Sequence, residues 1–383
     1  MSRRPALVLL WLVTATAGHA QDTSKGKKKD GPPRAATAAD SAARAAKKEK
    51  ERAKDMRKAN TRALFAEERP IEFTLVANYG ALARDRDTLS TKRFAGTLVV
   101  ADSSGAERRL PVTLRTRGHF RLMARNCRFV PVRIEFPDSG RKGTPFAGQS
   151  GLKLGTHCQN GDRRYDTYTR REYLAYRLFN VITPMSFRAR LATGTYVDSA
   201  SGKVVATHTA MFIENEDDLA TRMGGKVRDM RGALFDDLQA DQLLRVVLFE
   251  YLIGNTDFSF AALHNTRVVQ TRDGTVYPVA YDFDFSGLVA AHYATPDPRM
   301  GILKVTERRF RGPCRPLDTY LAAVEPFVTR KAALLAEVDR VPGITKDERS
   351  WALEFLGEFF RRVEKPHDVK RHLVDMCESR PGL

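Results

Sequence analysis

The chain has 383 residues, of which 42% are hydrophobic, and a net charge of +18 at pH 7. This length and apolar content allow a sizeable core and exclude a wholly disordered chain or a coiled-coil rod. The charge is uneven, because residues 1–62 hold 16 basic and six acidic side chains, which leaves a net charge of only +8 for residues 63–383. So mild a charge on the globular part gives little support to a nucleic-acid partner, and we expect none.

The first 20 residues have the pattern of a secretory signal peptide. Arg3 and Arg4 precede an apolar run over residues 6–15, and small residues follow at positions 17, 18 and 20. This order predicts cleavage near Gln21 and export to the periplasm or the extracellular space, with an uncleaved anchor as the alternative. The run is too short for a membrane-spanning helix.

Residues 21–62 are rich in lysine and alanine and are predicted to form a spacer. From Asp40 the composition favours a solvated helix, yet no apolar stripe is present that a partner surface would bury. A flexible or helical spacer is the interpretation that we favour. Its basic charge also predicts a peripheral contact with an anionic surface, such as lipid headgroups or cell-wall polymer.

Four cysteines follow, and export would place them in an oxidising compartment. An even number permits two disulfides, and three pairings are possible in principle. Because the members of each pair fall in the same half of the folded part, the sequence favours Cys127–Cys158 and Cys314–Cys377.

Residues 63–214 are predicted to form a β-rich region. Apolar and polar residues alternate in seven segments separated by turn residues, which is the pattern of strands joined as hairpins. The predicted strands cover residues 71–78, 94–101, 107–117, 128–136, 151–154, 187–197 and 203–213. One helix interrupts them over residues 166–182, where apolar residues recur at helical spacing before Pro184.

Residues 215–383 are predicted to be mainly helical. Residues 240–253 are apolar nearly all round, as in a helix buried within a domain, and end at Gly254. A hairpin with an Asp273-Gly274 turn follows, and helices are then predicted at residues 317–328, 331–338 and 346–363. The predicted fold class is therefore α+β, with an antiparallel sheet first and helices after it.

Two short segments hold most of the residues that a chemical site would need. Residues 254–257 read Gly-Asn-Thr-Asp, and residues 281–287 read Tyr-Asp-Phe-Asp-Phe-Ser-Gly. The hairpin between them folds its second strand back along the first, so the two segments are expected to lie close together. Because Asp282 and Asp284 are two residues apart on a strand, they share one face, and either or both can reach a cation.

At these positions the sequence resembles the CotH-type spore-coat kinases, which are exported atypical kinases that phosphorylate proteins. The resemblance covers about residues 110–290 and rests on six features. They are Arg-x-Arg-Gly from Arg115, Leu-Lys-Leu around Lys153, Arg-Glu-Tyr-Leu-Ala around Glu172, the hairpin that ends at Glu214, Asn-x-Asp at Asp257 and Tyr-Asp-Phe-Asp at 281–284. Gly-Asn-Thr-Asp followed by His264-Asn265 is also similar to HipA-type kinases.

The resemblance implies a two-lobed kinase-like fold with an antiparallel-sheet N-lobe and a mainly helical C-lobe. It implies an exported atypical kinase that transfers the γ-phosphoryl group of ATP to a hydroxyl of a protein serine or threonine, with Mg²⁺ or Mn²⁺. The acceptor would be an unidentified protein or envelope component. In this arrangement Asp257 positions the attacking hydroxyl, and the metal ligands are Asn265, Asp282 and Asp284. The implied nucleotide-binding residues are Lys153, Glu172, Arg115, Arg117 and Glu214.

The sequence also departs from the kinase pattern. Asn265 lies eight residues after Asp257 rather than five, and no glycine-rich loop is recognisable. A catalytically inactive kinase-like envelope protein that binds a partner or a glycan is therefore the alternative. For Lys153 and Glu172 the alternative to nucleotide binding is a salt bridge with no further role. The Asp-Phe-Asp motif also occurs in metal-dependent glycosyltransferases, but these have a parallel nucleotide-binding sheet upstream, where this chain has predicted hairpins.

Overall fold

The computed structural model of the chain describes residues 38–137 and 140–380. The chain divides into a first unit, residues 1–49, and a second unit, residues 50–383. Both sheets and the candidate site described below belong to the second unit. The domain boundaries that the sequence suggests at residues 20, 62 and 214 stay predictions.

The described part of the first unit is the beginning of a helix. Helix α1 covers Ala38–Asn60, and its residues 39–49 are exposed, as the absence of an apolar stripe predicts. The predicted signal peptide and its cleavage site lie outside the described residues. Within the two described ranges, no helix is long and apolar enough to cross a membrane.

Seven strands form a closed barrel in the first half of the second unit. In chain order they are β1 (Ile71–Ala77), β2 (Phe94–Ala101), β3 (Glu107–Thr116), β4 (Val132–Glu135), β5 (Gly151–Gly155), β6 (Ala189–Asp198) and β7 (Val204–Ile213). Around the barrel the order is β1, β2, β3, β4, β5, β7 and β6. All seven predicted strands are therefore present, with small differences at some of their ends and a clearly shorter β4.

The predicted two-lobed kinase-like fold with an antiparallel-sheet N-lobe is wrong. Strands β1 and β6 pair in parallel, from Ile71 opposite Ala192 to Ala77 opposite Asp198, and this pair closes the sheet into a mixed barrel. The sequence could not reveal the closure, because inward and outward residues alternate in the same way in an open sheet and in a barrel. The two strands are also far apart in the chain, so no turn signal connects them.

The barrel is filled by its own inward-facing side chains. Leu75, Leu98, Leu114, Ile134 and Leu152 are fully buried, one from each of five consecutive strands. A barrel of this size has an interior just wide enough for side chains to fill. The interior of the barrel is therefore a packed core, and a chemical site is expected at the edges of the barrel or at the neighbouring helices.

Helices and a second sheet complete the second unit. The helices are α2 (Tyr79–Arg84), α3 (Arg164–Ile182), α4 (Glu216–Arg222), α5 (Ala240–Ile253), α6 (Leu317–Thr329), α7 (Lys331–Asp339), α8 (Lys346–Val363) and α9 (Pro366–Val369), followed by a π-helical turn at Lys370–Val374. The second sheet has three antiparallel strands, β8 (Gly225–Arg228), β9 (Thr266–Thr271) and β10 (Val276–Ala280), with β9 in the centre.

Helix α3 connects the barrel to the helical part. It packs on β6 and β7 on one side and on α5, α7 and α8 on the other. Helix α5 is buried nearly all round, including Leu248, Phe249 and Leu252, which explains its continuous apolar sequence. Because α3 and α5 are packed on several sides, the side chains that they direct toward the β9–β10 hairpin are held in place.

Both favoured disulfides are present. Cys127 is bonded to Cys158 beside the barrel, and Cys314 is bonded to Cys377 near the C-terminus, with Cα atoms 4.8 and 4.9 Å apart. The described part of the chain contains no free cysteine. Two disulfides fit an oxidising environment.

Candidate active site

The two motif segments meet at the end of helix α5. The chain leaves α5 through Gly254, which has a left-handed φ of 64°, and a Cβ atom there would lie 2.8 Å from the Phe355 ring. The amide of Gly287 then donates a hydrogen bond to the Gly254 carbonyl at 3.0 Å, and the amide of Leu288 donates to Ile253 at 2.9 Å. These bonds hold the segment after β10 against the end of α5.

Asp257 lies in the loop between α5 and β9 and is held by two side chains from the start of the hairpin. The Nδ2 atom of Asn265 donates to its Oδ2 at 3.0 Å and to its backbone carbonyl at 2.7 Å. Nε2 of His264 lies 3.0 Å from Oδ1. The Asp257 side chain remains 38% exposed, so it is both oriented and accessible to a second molecule.

Non-glycine residues with a left-handed backbone conformation are concentrated in this region. Among the described residues, the non-glycine positions with positive φ are Leu263, Asn265, Asp282 and Ala290, at 52°, 50°, 66° and 51°. Such conformations are unfavourable for residues with a Cβ atom and often occur where a site needs a particular side-chain direction. Two of the four, Asn265 and Asp282, are predicted metal ligands.

Three acidic residues from two elements gather next to Asp257. Burial raises the pKa of Glu172, on α3, well above its usual range, and the charges of Asp284 and Asp282 add to this effect. Burial, assisted by the charge of Asp282, also raises the pKa of Asp284 to about 7. The Tyr293 hydroxyl donates to Asp284 at 3.1 Å, and the amide of Asp282 donates to the Tyr176 hydroxyl at 3.0 Å.

The charges of these acids reach the residues around Asp257. The hydrogen bond to Asp257 raises the pKa of His264, and the charges of Asp282 and Asp284 act in the same direction. The charge of Asp257 in turn contributes to the raised pKa of Asp284. Asp257, Asp282, Asp284 and Glu172 therefore form one electrostatic group, which we call the acidic cluster.

Basic residues lie on one side of the acidic cluster. Lys153 projects from β5, with Nζ 4.1 Å from the centre of the Tyr281 ring, and Arg267 lies over the same ring at 4.6 Å. Glu216 at the start of α4 contacts both cations, at 4.0 Å from Lys153 and 2.8 Å from Arg267. Burial lowers the pKa of Lys153 to about 7, and the charge of Arg117 also lowers it, whereas Glu216 opposes the shift.

Two further arginines approach the cluster from the segment after β3. The charges of Arg121 and Arg117 both act to lower the pKa of Glu172, against the effect of burial. Arg121 is fixed by hydrogen bonds of 2.6 Å to the carbonyls of Thr156 and His157, and its buried Nε atom has no partner among the described residues. A fixed guanidinium with an unused donor suits an anionic or carbonyl ligand.

The structure keeps two of the predicted nucleotide-binding residues apart from this group. Glu214 is fully buried and is bound by Arg188 at 2.6 Å and by Arg222 at 2.8 Å. Arg115 instead faces Glu135 across the β3–β4 pair, at 3.4 Å. Neither residue is in contact with the acidic cluster in the hydrogen bonds and ion pairs of the described residues.

The partner of Lys153 also differs from the predicted one. In the described part of the chain Lys153 forms its ion pair with Glu216, whereas Glu172 faces Asp282 and Asp284. The reason is the pairing of β5 with β7, which sets Lys153 opposite Ile213 and so brings Glu216, three residues later, to its side. The salt bridge between Lys153 and Glu172 that was the alternative is not formed.

Sequence reasoning missed several residues of the site. They are Glu216, Arg267, Tyr281 in its contact with two cations, Tyr293 and Glu250. The last of these, on α5, is buried with a pKa raised by burial to about 8, and its Oε2 atom accepts a hydrogen bond from Asn255 at 3.0 Å. One signal was available, because a glutamate inside an otherwise apolar helix needs a structural or functional reason.

The fit of a divalent cation can be judged from the donor set. Among the described residues, no three His, Cys, Asp or Glu side chains are arranged as a ready metal cage. Mg²⁺ commonly uses one or two carboxylates together with substrate phosphates and does not need such a cage. Burial and the charge of Asp282 raise the pKa of Asp284, and a bound cation would favour the ionised form of such a carboxyl group. The residues present therefore fit the ion.

No protein-family model matches the sequence, and no curated protein matches it. Among solved structures, the Helicobacter pylori proinflammatory kinase CtkA is similar, with 10% sequence identity and a TM-score of 0.34, over 64% of this chain and 92% of that chain. A TM-score of this size does not establish a shared fold. The similarity is to a kinase, and it does not assign the chain to the CotH-type or HipA-type families.

Proposed function

We propose that the protein is an exported metal-dependent phosphotransferase, which moves the γ-phosphoryl group of a nucleotide such as ATP to a hydroxyl of a protein serine or threonine. The observation that carries the proposal is the position of the half-exposed Asp257 carboxylate. It is held by Asn265 and His264 beside the half-buried acids Asp282 and Asp284. The proposal does not depend on the fold, because it rests on these side chains.

Asp257 is proposed to orient the acceptor hydroxyl and to accept its proton. A general base must reach the hydroxyl, and the 38% exposure of the side chain permits this approach. The hydrogen bonds from Asn265 and His264 leave the carboxylate little freedom to rotate. Orientation of this kind contributes to the transfer step more than to substrate affinity.

Asn265, Asp282 and Asp284 are proposed to hold Mg²⁺ or Mn²⁺. Such an ion, held by these residues, would neutralise part of the negative charge of the donor phosphates. The protein contributes a fixed donor set, because the backbone amide of Tyr281 donates to the Asn265 carbonyl at 3.0 Å and ties the two ends of the hairpin together. Glu172 supplies a further buried carboxyl next to these ligands.

The donor phosphates are proposed to bind on the basic side of the cluster. Lys153 and Arg267 lie over the Tyr281 ring, and Glu216 holds both of them. The charge of Arg117 acts on Lys153 from the same neighbourhood. An anion would raise the pKa of Lys153 and restore its positive charge, so phosphate binding and lysine protonation would support each other.

A thermal-shift experiment tests the proposal. The melting temperature of the parent protein should rise with ATP and Mn²⁺ together, more than with either alone, because binding to the folded state stabilises it. Asp282→Asn and Asp284→Asn should abolish the Mn²⁺-dependent part of the shift. Asp273→Asn is the matched control, since Asp273 lies in the turn at the other end of the same hairpin and caps it through Thr271 at 2.6 Å.

Transfer itself is measured by the incorporation of labelled phosphate into the protein or into an envelope extract. Incorporation by the parent that Asp257→Ala removes would support the proposal. Nucleotide binding without any transfer would contradict it and favour an inactive kinase-like protein. A parent protein whose melting temperature does not respond to nucleotide would favour the envelope-binding alternative.

A further inference from the structure

The loop that carries Asp257 is also held by Arg311, which lies in the segment before the Cys314–Cys377 disulfide. Nη1 of Arg311 donates hydrogen bonds to the carbonyl of Thr256 at 2.8 Å and to the carbonyl of Phe258 at 2.7 Å. These are the two residues on either side of Asp257. The guanidinium also lies over the Phe258 ring, at 5.0 Å from its centre.

Arg311 is itself fixed in place. Its side chain is 4% exposed, and its Nε atom donates to Oε1 of Glu378 at 3.3 Å. A buried arginine with three such contacts has little rotational freedom, and it would be costly to bury without its carboxylate partner. The position of Arg311 therefore depends on the position of Glu378.

The C-terminal segment is held beside Arg311 by the second disulfide. Cys314 is three residues after Arg311, and its partner Cys377 directly precedes Glu378. The amide of Glu378 donates to the carbonyl of Gly312 at 2.8 Å, and a short bridge of β type joins Pro313 to Glu378. The disulfide thus keeps Glu378 next to Arg311.

From this continuous path we propose that Arg311 is a positioning residue for Asp257, and that the Cys314–Cys377 disulfide keeps it in that role. Arg311 touches neither the acceptor nor the metal, and it acts by fixing the backbone on both sides of the carboxylate. Without the disulfide, the segment that carries Glu378 is held less firmly beside Arg311, the ion pair between the two side chains is weakened, and the two loop carbonyls lose a fixed donor. The part of this inference that concerns turnover rests on the proposed function.

Hydrogen exchange of the loop tests the inference without any assay of activity. In the folded protein the amides of Asn255, Asp257 and Ser259 donate to Glu250, to the Asn255 side chain and to His264. Exchange of the peptide 255–259 should rise by about tenfold when Cys314 and Cys377 are both replaced by alanine, since the loop then opens more easily. The Cys127→Ala and Cys158→Ala double variant is the control and should leave this peptide unchanged.

Variants of Arg311 and Glu378 complete the test. Arg311→Met removes both carbonyl hydrogen bonds, so exchange in 255–259 should rise and phosphoryl transfer should fall by about a hundredfold, with nucleotide affinity little changed. If Arg311→Met does not fold, Glu378→Gln gives the milder case, in which the same peptide shows a smaller rise. Arg311→Lys should recover part of the loss, because a lysine keeps the charge and can donate to one carbonyl.

The outcomes separate this inference from the proposed function. Unchanged exchange in 255–259 in both the disulfide variant and Glu378→Gln would overturn the inference, whatever the parent transfers. Faster exchange with equal loss of nucleotide affinity and turnover would also overturn it, because that is the signature of general unfolding. If the parent protein transfers no phosphate but the variants show faster exchange in 255–259, the inference about Arg311 is supported and the proposed function is contradicted.

Discussion

Two groups of buried carboxylates in this protein are built in opposite ways. Glu214 is fully buried, and Arg188 and Arg222 neutralise it in hydrogen-bonded ion pairs. Glu172 is also buried, but its pKa is raised by this burial and by the charges of Asp284 and Asp282. The first group satisfies its charge within the protein, whereas the second group does not.

The difference indicates which group is structural and which one is prepared for a ligand. A buried carboxylate with arginine partners is stable as it stands and loses much if one partner is removed. Buried acids that face each other are unfavourable when ionised, and they favour protons or an added cation. Acids of the second kind are common at sites of catalysis and metal binding. The four predictions below test this contrast.

The largest effect is expected where the paired group is broken. Glu214→Gln leaves the half-buried Arg188 and the buried Arg222 without their counter-ion, and the free energy of unfolding should fall by about 3 kcal/mol. Urea denaturation followed by circular dichroism measures the change. Nucleotide binding by the fraction that stays folded should not change, and a selective loss of binding would mean that Glu214 contributes to the nucleotide site after all.

The next effect concerns Asp257, which lies at the accessible edge of the acidic cluster. Asp257→Ala should lower the rate of phosphoryl transfer by about two orders of magnitude and change nucleotide affinity little, since the carboxylate acts on the acceptor. Lys153→Ala is the informative comparison, because it should weaken nucleotide binding as well as turnover. Equal losses of affinity in the two variants would contradict the separate roles.

The elements of the fold were largely accessible from the sequence. Helix α5 has the bounds predicted for it, because a continuous apolar run that stops at Gly254 leaves few alternatives. Strand β4 is shorter than predicted and covers only Val132–Glu135, because Pro131 before it has no amide to donate and the amides of Arg128 and Phe129 both donate to the Cys158 carbonyl. The barrel could not be predicted, because the parallel pairing of β1 with β6 leaves no local signal.

The candidate site divides in the same way. Asp257, Asn265, Asp282 and Asp284 could be grouped from the sequence, because one hairpin connects them. Glu216, by contrast, reaches Lys153 only through the pairing of β5 with β7, which joins segments about 60 residues apart in the chain. Contacts that depend on strand order around the barrel were therefore the ones that sequence reasoning missed.

A smaller effect is expected in the pH dependence of stability. The pKa of Asp284 is about 7 in the folded protein and lies near 3.9 in an unfolded chain, so between these values the folded state binds more protons. Stability should therefore decrease as the pH rises from about 4 to about 7 and then level off. Asp284→Asn should remove about 1 to 2 kcal/mol of this decrease.

Thermal melts of the parent and Asp284→Asn in chelator-treated buffer between pH 5 and pH 8 measure this difference. The comparison of the two proteins cancels the titration of groups outside the acidic cluster. Addition of Mn²⁺ at pH 8 should stabilise the parent and not the variant. If the melting temperatures of the variant and the parent depend on pH in the same way, the pKa of Asp284 is not raised in the folded protein and this prediction is wrong.

The smallest change in stability is expected for Glu216, a carboxylate that is paired with cations like Glu214 but lies beside the acidic cluster. Its side chain is paired with Lys153 and Arg267 but is 31% exposed, so Glu216→Gln should cost less than about 1 kcal/mol of unfolding free energy. Its effect on Lys153 should be clearer. Glu216 opposes the lowering of the Lys153 pKa, so the pKa should fall below about 7 when the carboxylate is removed.

The rate at which Lys153 reacts with an acylating reagent reports this pKa, because only the neutral amine reacts. At pH 6 the Glu216→Gln protein should react faster than the parent, and the pH midpoint of the reaction should move down. Glu135→Gln is the matched control, since Glu135 is 25% exposed, pairs with Arg115 and Arg93, and lies on the strand next to that of Lys153. It should change stability by a similar amount and leave the reaction of Lys153 unaltered. Equal midpoints in all three proteins would show that Glu216 does not hold Lys153, and the basic side of the acidic cluster would then need another explanation.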